Sequence, residues 1–218
     1  MIDFIQDIQS SCVNQSDDVI ALLRKAYIVA RKLSQSEFQS WIDNELKGYP
    51  STDKVPQYRK VSGMIYARWI SGNYIPVQLD DESTKRLTRR SITHSIPEII
   101  SLLDNNKQQY FELPFMGDIN QAIGVLTGHE AQYYLFVGKD QFQGIIEEVI
   151  NTILRWSFTI EENGTKECQL PDLIVNKEDG KNQSESNCVP SLIFNNEVAS
   201  VQIQVNSSNS CQKTGKED

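Results

Sequence analysis

The sequence predicts an α+β protein with a mostly helical main domain and a small C-terminal β appendage. The main domain is expected to hold an N-terminal helical hairpin, a β-hairpin and a long core helix. Three observations lead to this fold class. Apolar residues recur at helical spacing through the first forty-nine residues, and they do so again between residues 141 and 162. Between residues 61 and 79 they alternate with polar residues, which is the period of a strand.

The N-terminal segment predicts two amphipathic helices joined by a short connection. The first runs from Val19 to Leu33, with Asp18 at the end where the helix dipole favours acids. Ser34 or Ser36 is expected to cap the second helix, and Gly48 is expected to end it. Because the connection is short, the two helices should pack as an antiparallel hairpin.

The middle of the chain predicts a β-hairpin followed by shorter elements. Alternation runs from Val61 to Trp69, turn-forming residues follow, and Ile75 to Leu79 resumes it. Residues 80–90 are highly charged and predict a helix start or an exposed connection. Pro97 opens a short helix that reaches Leu103. Weaker patterns predict a strand at 109–114, a helix at 118–126 and a buried strand at 133–137.

The longest apolar stripe, from Gln141 to Glu162, predicts the central helix of the core. Trp156 or Phe158 extends its apolar face, and Asn163-Gly164 is expected to end it.

Composition changes near residue 175, and this predicts the domain organisation. Residues 1–175 form the main domain, 176–188 a flexible linker, 189–212 a short β-strand tail and 213–218 a disordered terminus. In the tail Val201, Ile203 and Val205 alternate with glutamine. Strands with so little apolar surface are marginal alone, and their open edges favour pairing. The tail therefore docks on its own domain, pairs with another copy, or stays disordered in the isolated protein.

Composition also excludes several classes of protein. The chain has 21 basic and 29 acidic residues, a net charge of -8, which disfavours binding to nucleic acid. Its apolar runs are shorter than the roughly 18 residues of a membrane span. The N-terminus lacks the charge pattern of a signal peptide, and the four cysteines lack paired spacing. We therefore expect a cytoplasmic protein with reduced thiols and no membrane contact.

The sequence contains no pattern that identifies a reaction. His94 and His129 have no partner at catalytic or metal-ligand spacing, and no nucleotide-binding motif occurs, so no cofactor, metal or catalytic residue is predicted. Acidic groups are more typical of a solvated helix face, although a metal-dependent nuclease would also gather them. These groups are Asp43 with Glu45, Asp80 to Glu82, Glu147-Glu148 and Glu161-Glu162.

Two segments and the tail are candidates for an interaction surface. A basic patch at residues 85–90 has the spacing of one helical face. A proline-bounded loop at residues 49–59 could form a contact surface, or could instead be pinned against the helical hairpin, which we favour. The candidate residues are Tyr49, Tyr58, Arg59, Lys85, Arg86, Arg89, Arg90, Val201, Ile203 and Val205.

Several segments carry a resemblance to a known family. The opening segments are Leu22 to Ala26, Ala30 to Leu33, Phe38, Trp41, Glu45 to Tyr49 and Pro56 to Arg59. The later segments are Ile75 to Val77, Ser95 to Ile99, Gln141 to Gly164 and, in the tail, Val201 to Gln204 followed by Ser208 to Gln212. In this order and spacing they resemble the AbiTii domain family of bacterial abortive-infection proteins. The resemblance implies a role in defence against phage, with dormancy or death of the infected cell as the outcome. It implies no catalytic residues.

Three functional hypotheses follow. The first is a defence protein that acts through self-association or partner binding, as a homo-oligomer through the C-terminal strands or with a defence-system or phage protein. The alternative is a metal-dependent nuclease toxin that uses a carboxylate cluster. The third is a phage-encoded regulator that sequesters a host factor. The lack of a catalytic pattern favours a protein that is not an enzyme.

Overall fold

A computed structural model of the chain describes residues 2–14 and 18–163. Within these residues it has an α+β fold, as predicted. The predicted linker, β-strand tail and terminus lie outside the described residues. The helices are α1 (Ile2–Val13), α2 (Val19–Lys32), α3 (Ser36–Lys47), α4 (Asp81–Leu87), α5 (Ile96–Asn105), α6 (Gly117–Thr127) and α7 (Lys139–Asn163). The strands are β1 (Lys60–Ser62), β2 (Met64–Arg68), β3 (Tyr74–Pro76), β4 (Arg89–Ser91), β5 (Tyr110–Pro114) and β6 (Gln132–Gly138).

The predicted helical hairpin is formed by α2 and α3, which pack against each other. The Asp18 side chain caps α2 by accepting a hydrogen bond of 2.9 Å from the Ile20 N–H. The prediction that Ser34 or Ser36 caps α3 is wrong. Ser34 adopts a left-handed turn conformation with φ +58°, Gln35 occupies the cap position, and Ser36 is already the first helical residue. Gly48 ends α3 at φ +91°, as predicted.

The main sheet has four antiparallel strands in the order β3-β2-β6-β5. The predicted hairpin is present as β2 and β3, but the single strand predicted from Val61 to Trp69 is wrong. Val61 belongs to β1, which pairs with β4 in a separate two-stranded sheet. The chain breaks at Gly63, which lies so close to β6 that a Cβ there would come within 2.2 Å of the Phe136 carbonyl oxygen. Val61 and Ile65 are both buried, so the alternation of apolar residues continues across Gly63 and does not reveal that the strand is interrupted there.

Helix α7 forms the centre of the core, as predicted. The middle of its apolar stripe is fully buried (Phe142, Ile145, Val149, Ile153 and Trp156), whereas Ile146, Ile150 and Leu154 beside it are half-buried. Trp156 stacks on Phe38 of α3 with ring centroids 4.3 Å apart. At its N-terminal end Phe142 contacts Phe111 of the sheet at 4.4 Å. Trp156 and not Phe158 completes the buried face, since Phe158 is 48% exposed. The core therefore lies between the helices and one face of the four-stranded sheet.

The weaker predictions for the middle of the chain are confirmed with shifted boundaries. The charged segment contains α4, the three later segments become β5, α6 and β6, and α5 continues past Leu103 to Asn105. Ser95 and Glu98 form a capping box at the start of α5. No helix in residues 2–14 or 18–163 is long and apolar enough to cross a membrane.

Candidate functional site

The face of the four-stranded sheet that points away from the core carries a cluster of aromatic side chains. Side chains alternate between the two faces along each strand, so the residues next to the buried ones in sequence point outward. Phe111 contacts α7 and Tyr133 contacts α6, so both residues lie on the inner face of the sheet. The outward side chains form what we call the aromatic face: Tyr66, Tyr74, Tyr110, Tyr134 and Phe136, with Met64, Arg68 and Glu112 among them.

Phe136 lies at the centre of the aromatic face. Tyr110 of β5 stacks on it at 4.7 Å and 20°, and Tyr66 of β2 lies on its other side at 4.5 Å. Tyr74 of β3 meets it edge-on at 4.9 Å. Tyr66 and Tyr110 therefore flank Phe136 along the sheet, and the Phe136 ring is in contact with three neighbouring rings.

The aromatic face remains accessible in the described part of the chain. Met64 is 61% exposed and Tyr110 is 37% exposed, while Tyr134 is almost covered by its neighbours. Exposed aromatic and methionine side chains in one patch are typical of protein-binding surfaces. This arrangement can bury apolar area against another chain.

Two charged residues occupy the aromatic face. Glu112 is 7% exposed and accepts a hydrogen bond of 2.5 Å from the Tyr74 hydroxyl. Burial, together with this bond, raises the pKa of Tyr74 above its ordinary value. Arg68 is exposed at the edge, 5.9 Å from the Tyr74 ring centroid, and a hydrogen bond with Tyr134 raises the pKa of its guanidinium.

Sequence reasoning missed this surface. The sequence shows which residues of β2 alternate with the buried ones, but nothing in it indicates that Tyr66 lies near Tyr110 or Phe136. Only the pairing of β2 with β6, and of β6 with β5, brings them together. Aromatic residues in both phases of β6 were the one available signal, because a strand with one solvated face should alternate apolar with polar residues.

A second cluster lies inside the protein around Glu45 of α3. Its carboxylate accepts hydrogen bonds from the hydroxyls of Tyr49 and Tyr58, at 2.6 and 2.5 Å, and pairs with the Arg59 guanidinium. The side chains of Glu45 and Arg59 are fully buried. Trp41 donates to the Tyr58 hydroxyl at 2.9 Å. We call these five residues the Glu45 cluster.

Charge and burial together set the protonation of this cluster. Burial raises the pKa of Tyr49 and of Tyr58, and the negative charge of Glu45 raises both further. Burial is the largest single influence on Arg59 and lowers its pKa, but Glu45, Tyr58 and Tyr49 together outweigh burial, so the pKa of Arg59 is raised. Arg59 also donates to the carbonyls of Ile92 and His94, at 3.2 and 2.7 Å. The cluster thus ties the 49–59 loop to α3 and to the segment before α5.

These positions correct the expectation that Arg59 could lie on a contact surface. Tyr49 and Arg59 are buried and Tyr58 is partly buried, because all three side chains donate hydrogen bonds to the buried carboxylate of Glu45. The structure matches the alternative interpretation, in which the loop is pinned against the helical hairpin.

The basic patch is also divided by the structure. Lys85 and Arg86 are exposed on α4 and Arg89 is exposed on β4, but Arg90 turns inward, with its guanidinium 4.5 Å from the Phe115 ring centroid. Burial lowers the pKa of Arg90. The four residues do not share one helical face, since α4 ends at Leu87 and the period of β4 is two.

The acidic groups and histidines do not converge. Asp43 pairs with Lys47 on the surface at 2.7 Å, whereas Glu45 is buried. His94 is half-buried and His129 is exposed beside Trp69. In the described ranges no three histidine, cysteine or acidic side chains are grouped as metal ligands would be. Cys12 is half-buried, and burial raises its pKa to about 11. Val201, Ile203, Val205 and the other cysteines lie outside the described residues.

Comparison with known proteins identifies the family. The model of the AbiTii family matches residues 3–185, so the chain belongs to the AbiTii family, as the sequence resemblance predicts. Membership supports a role in abortive-infection defence. Neither a curated protein nor a solved structure matches the chain.

Proposed function

We propose that this AbiTii protein acts in bacterial anti-phage defence by binding protein chains through the aromatic face. The bound chain is another copy of the protein, or a partner from the defence system or the phage. The observation that supports this proposal is the set of aromatic side chains, exposed or half-buried except for Tyr134, on a sheet face whose opposite side is packed against the core. In this proposal the protein works in the cytoplasm and without a cofactor.

The dimensions of the aromatic face limit what it binds alone. Four strands about 4.8 Å apart, with about five residues each at 3.3 Å, cover roughly 300 Å². A stable interface buries about 800 Å² on each partner. A face-to-face contact of this size would therefore be transient unless a further segment adds area. We propose that the C-terminal strands, residues 189–212, supply that area in a homo-oligomer.

The free edges of the main sheet do not favour addition of those strands. The Val77 N–H bonds to Ile65 and the Phe115 N–H to Tyr133, so Pro76 of β3 and Pro114 of β5 direct their backbone away from the sheet. Proline has no N–H to offer an added strand, and its presence at both edges is a known protection against edge pairing. This supports contact with the face of the sheet.

The proposal is tested by the assembly state and by phage protection. Met64→Lys with Tyr110→Lys places two charges on the aromatic face, whereas Ile28→Lys with Val125→Lys makes the same change at exposed apolar sites on α2 and α6. Light scattering of the full chain over a concentration series should show assemblies for wild type and control, and monomers for the face variant. In cells that wild type protects, the face variant should lose protection.

The tail is tested in the same assays. Ile203→Asp should weaken assembly, and Gln202→Asp, in the opposite phase of the predicted strand, should not. Retention of both assembly and protection by the face variant would overturn the proposal. Incubating the wild type with RNA and DNA and Mg²⁺ tests the nuclease alternative, which would replace the proposal if changing one acidic group abolished degradation.

A further inference from the structure

Glu112 is an unusual carboxylate because it is almost fully buried and has few polar partners. It lies on β5 directly opposite Phe136, with its side chain on the aromatic face. Glu112 is only 7% exposed, yet in the described part of the chain it accepts a hydrogen bond from one donor, the Tyr74 hydroxyl. No Lys or Arg nitrogen of residues 2–14 or 18–163 comes within ion-pair distance of it.

The Glu45 cluster shows how the same fold treats a carboxylate in its interior. Glu45 receives two tyrosine hydroxyls and a complete guanidinium, which satisfy both of its oxygens. Buried carboxylates are normally paired in this way, because loss of hydration is costly without a cation or several donors. Glu112 has the tyrosine donor, but no guanidinium is in contact with it, and Arg68 acts on it only at longer range.

We propose that Glu112 binds an arginine side chain presented by the partner chain. The inference rests on the proposed function, since it names the chemistry of the partner at the aromatic face. A guanidinium matches the site because its planar apolar surface packs on aromatic rings while its N–H groups pair with a carboxylate and with tyrosine oxygens. The net charge of -8 adds a long-range attraction for a basic partner chain, whereas a second copy of this chain would carry the same negative charge.

Arg68 lies on the same face and should weaken the binding of an arginine there. It is held beside Tyr134 and near the Tyr74 ring, and the negative charge of Glu112 contributes to the raised pKa of its guanidinium, although the two residues are not in ion-pair contact. The charge of Arg68 repels an incoming guanidinium. Removal of that charge should therefore strengthen binding of an arginine peptide, an effect that a purely structural role for Arg68 would not produce.

The test measures binding of a fluorescein-labelled nonapeptide, three repeats of Gly-Thr-Arg, by the full-length protein. The matched probe has citrulline, which is neutral and similar in shape, in place of arginine. Wild type should bind the arginine peptide about tenfold more tightly than the citrulline peptide. Glu112→Gln should abolish that preference, while Glu130→Gln, the same change at an exposed site, should keep it. Arg68→Gln should tighten arginine binding several-fold.

Equal affinity of wild type for the two peptides, or no binding of either, would overturn the inference even if Glu112→Gln did not fold. An unchanged preference in folded Glu112→Gln, checked by thermal melting, would do the same. These failures differ from failure of the proposed function. If Met64→Lys with Tyr110→Lys abolishes assembly and protection, but Glu112→Gln changes neither, the aromatic face binds a partner without an arginine.

Discussion

Replacing Arg59 with methionine should cost this protein a large part of its folding stability. The change keeps an unbranched side chain of similar length and removes the guanidinium. It leaves the fully buried Glu45 charge with two tyrosine donors, and it frees the carbonyls of Ile92 and His94. Removing one partner of a buried ion pair costs about 3–5 kcal/mol, a large share of the about 5–15 kcal/mol that stabilises a domain.

Urea denaturation followed by circular dichroism measures this loss. With a slope of about 2 kcal/mol/M, a loss of about 4 kcal/mol lowers the midpoint by about 2 M. Lys47→Met is the matched control, since it removes the exposed cation of the Asp43 pair and should change stability by less than about 1 kcal/mol. Glu45→Gln combined with Arg59→Met should cost about 2 kcal/mol less than the sum of the single changes.

The reasoning fails if Arg59→Met costs no more than Lys47→Met, or if the two changes in the buried pair are additive. The first result would mean that water or a structural shift replaces the guanidinium without loss, and the second that Glu45 and Arg59 do not stabilise each other in the folded protein.

Four further predictions concern the fold. The free energy of unfolding should fall above about pH 10, by about 1.4 kcal/mol per pH unit for each buried tyrosine of the Glu45 cluster. The reason is that these tyrosines stay protonated in the folded protein, whereas the unfolded chain releases their protons. Urea titrations from pH 8 to 11 measure this slope, and Tyr58→Phe should reduce it. Gly63→Ala should destabilise the protein by about 1–3 kcal/mol, since its Cβ meets the Phe136 carbonyl, and an increase in thermal stability would contradict this. Gly144→Ala, in an open position of α7, should instead stabilise by about 0.5–1 kcal/mol in the same melts. Ser95→Ala should cost about 1 kcal/mol by removing the cap of α5, and a change below 0.3 kcal/mol, roughly the scatter of such measurements, would argue against that role.

The helical part of the fold could be predicted because it depends on local spacing. The stripes of α2, α3 and α7 recur at helical period over many residues, and helix ends such as Gly48 carry their own conformational signal. These properties are encoded within a few residues of where they act, so a single sequence is sufficient to read them.

The strands could be predicted only in part, because a strand's period does not say which strand it pairs with. Val61 and Ile65 continue one alternation but belong to two different sheets. The break at Gly63 depends on the approach of β6, more than seventy residues away. Pairing between distant strands is a property of the whole chain and has no local signal.

The sequence by itself determined the family, the α+β class and the helical stripes that bury the core. Tertiary structure decided which polar and aromatic residues meet. It brought Arg59 to Glu45 in the interior, turned Arg90 inward, and assembled the aromatic face from four strands. The physical reason is the range of the interactions: helix period acts over four residues, whereas an ion pair or a sheet face needs partners that only the folded chain places together.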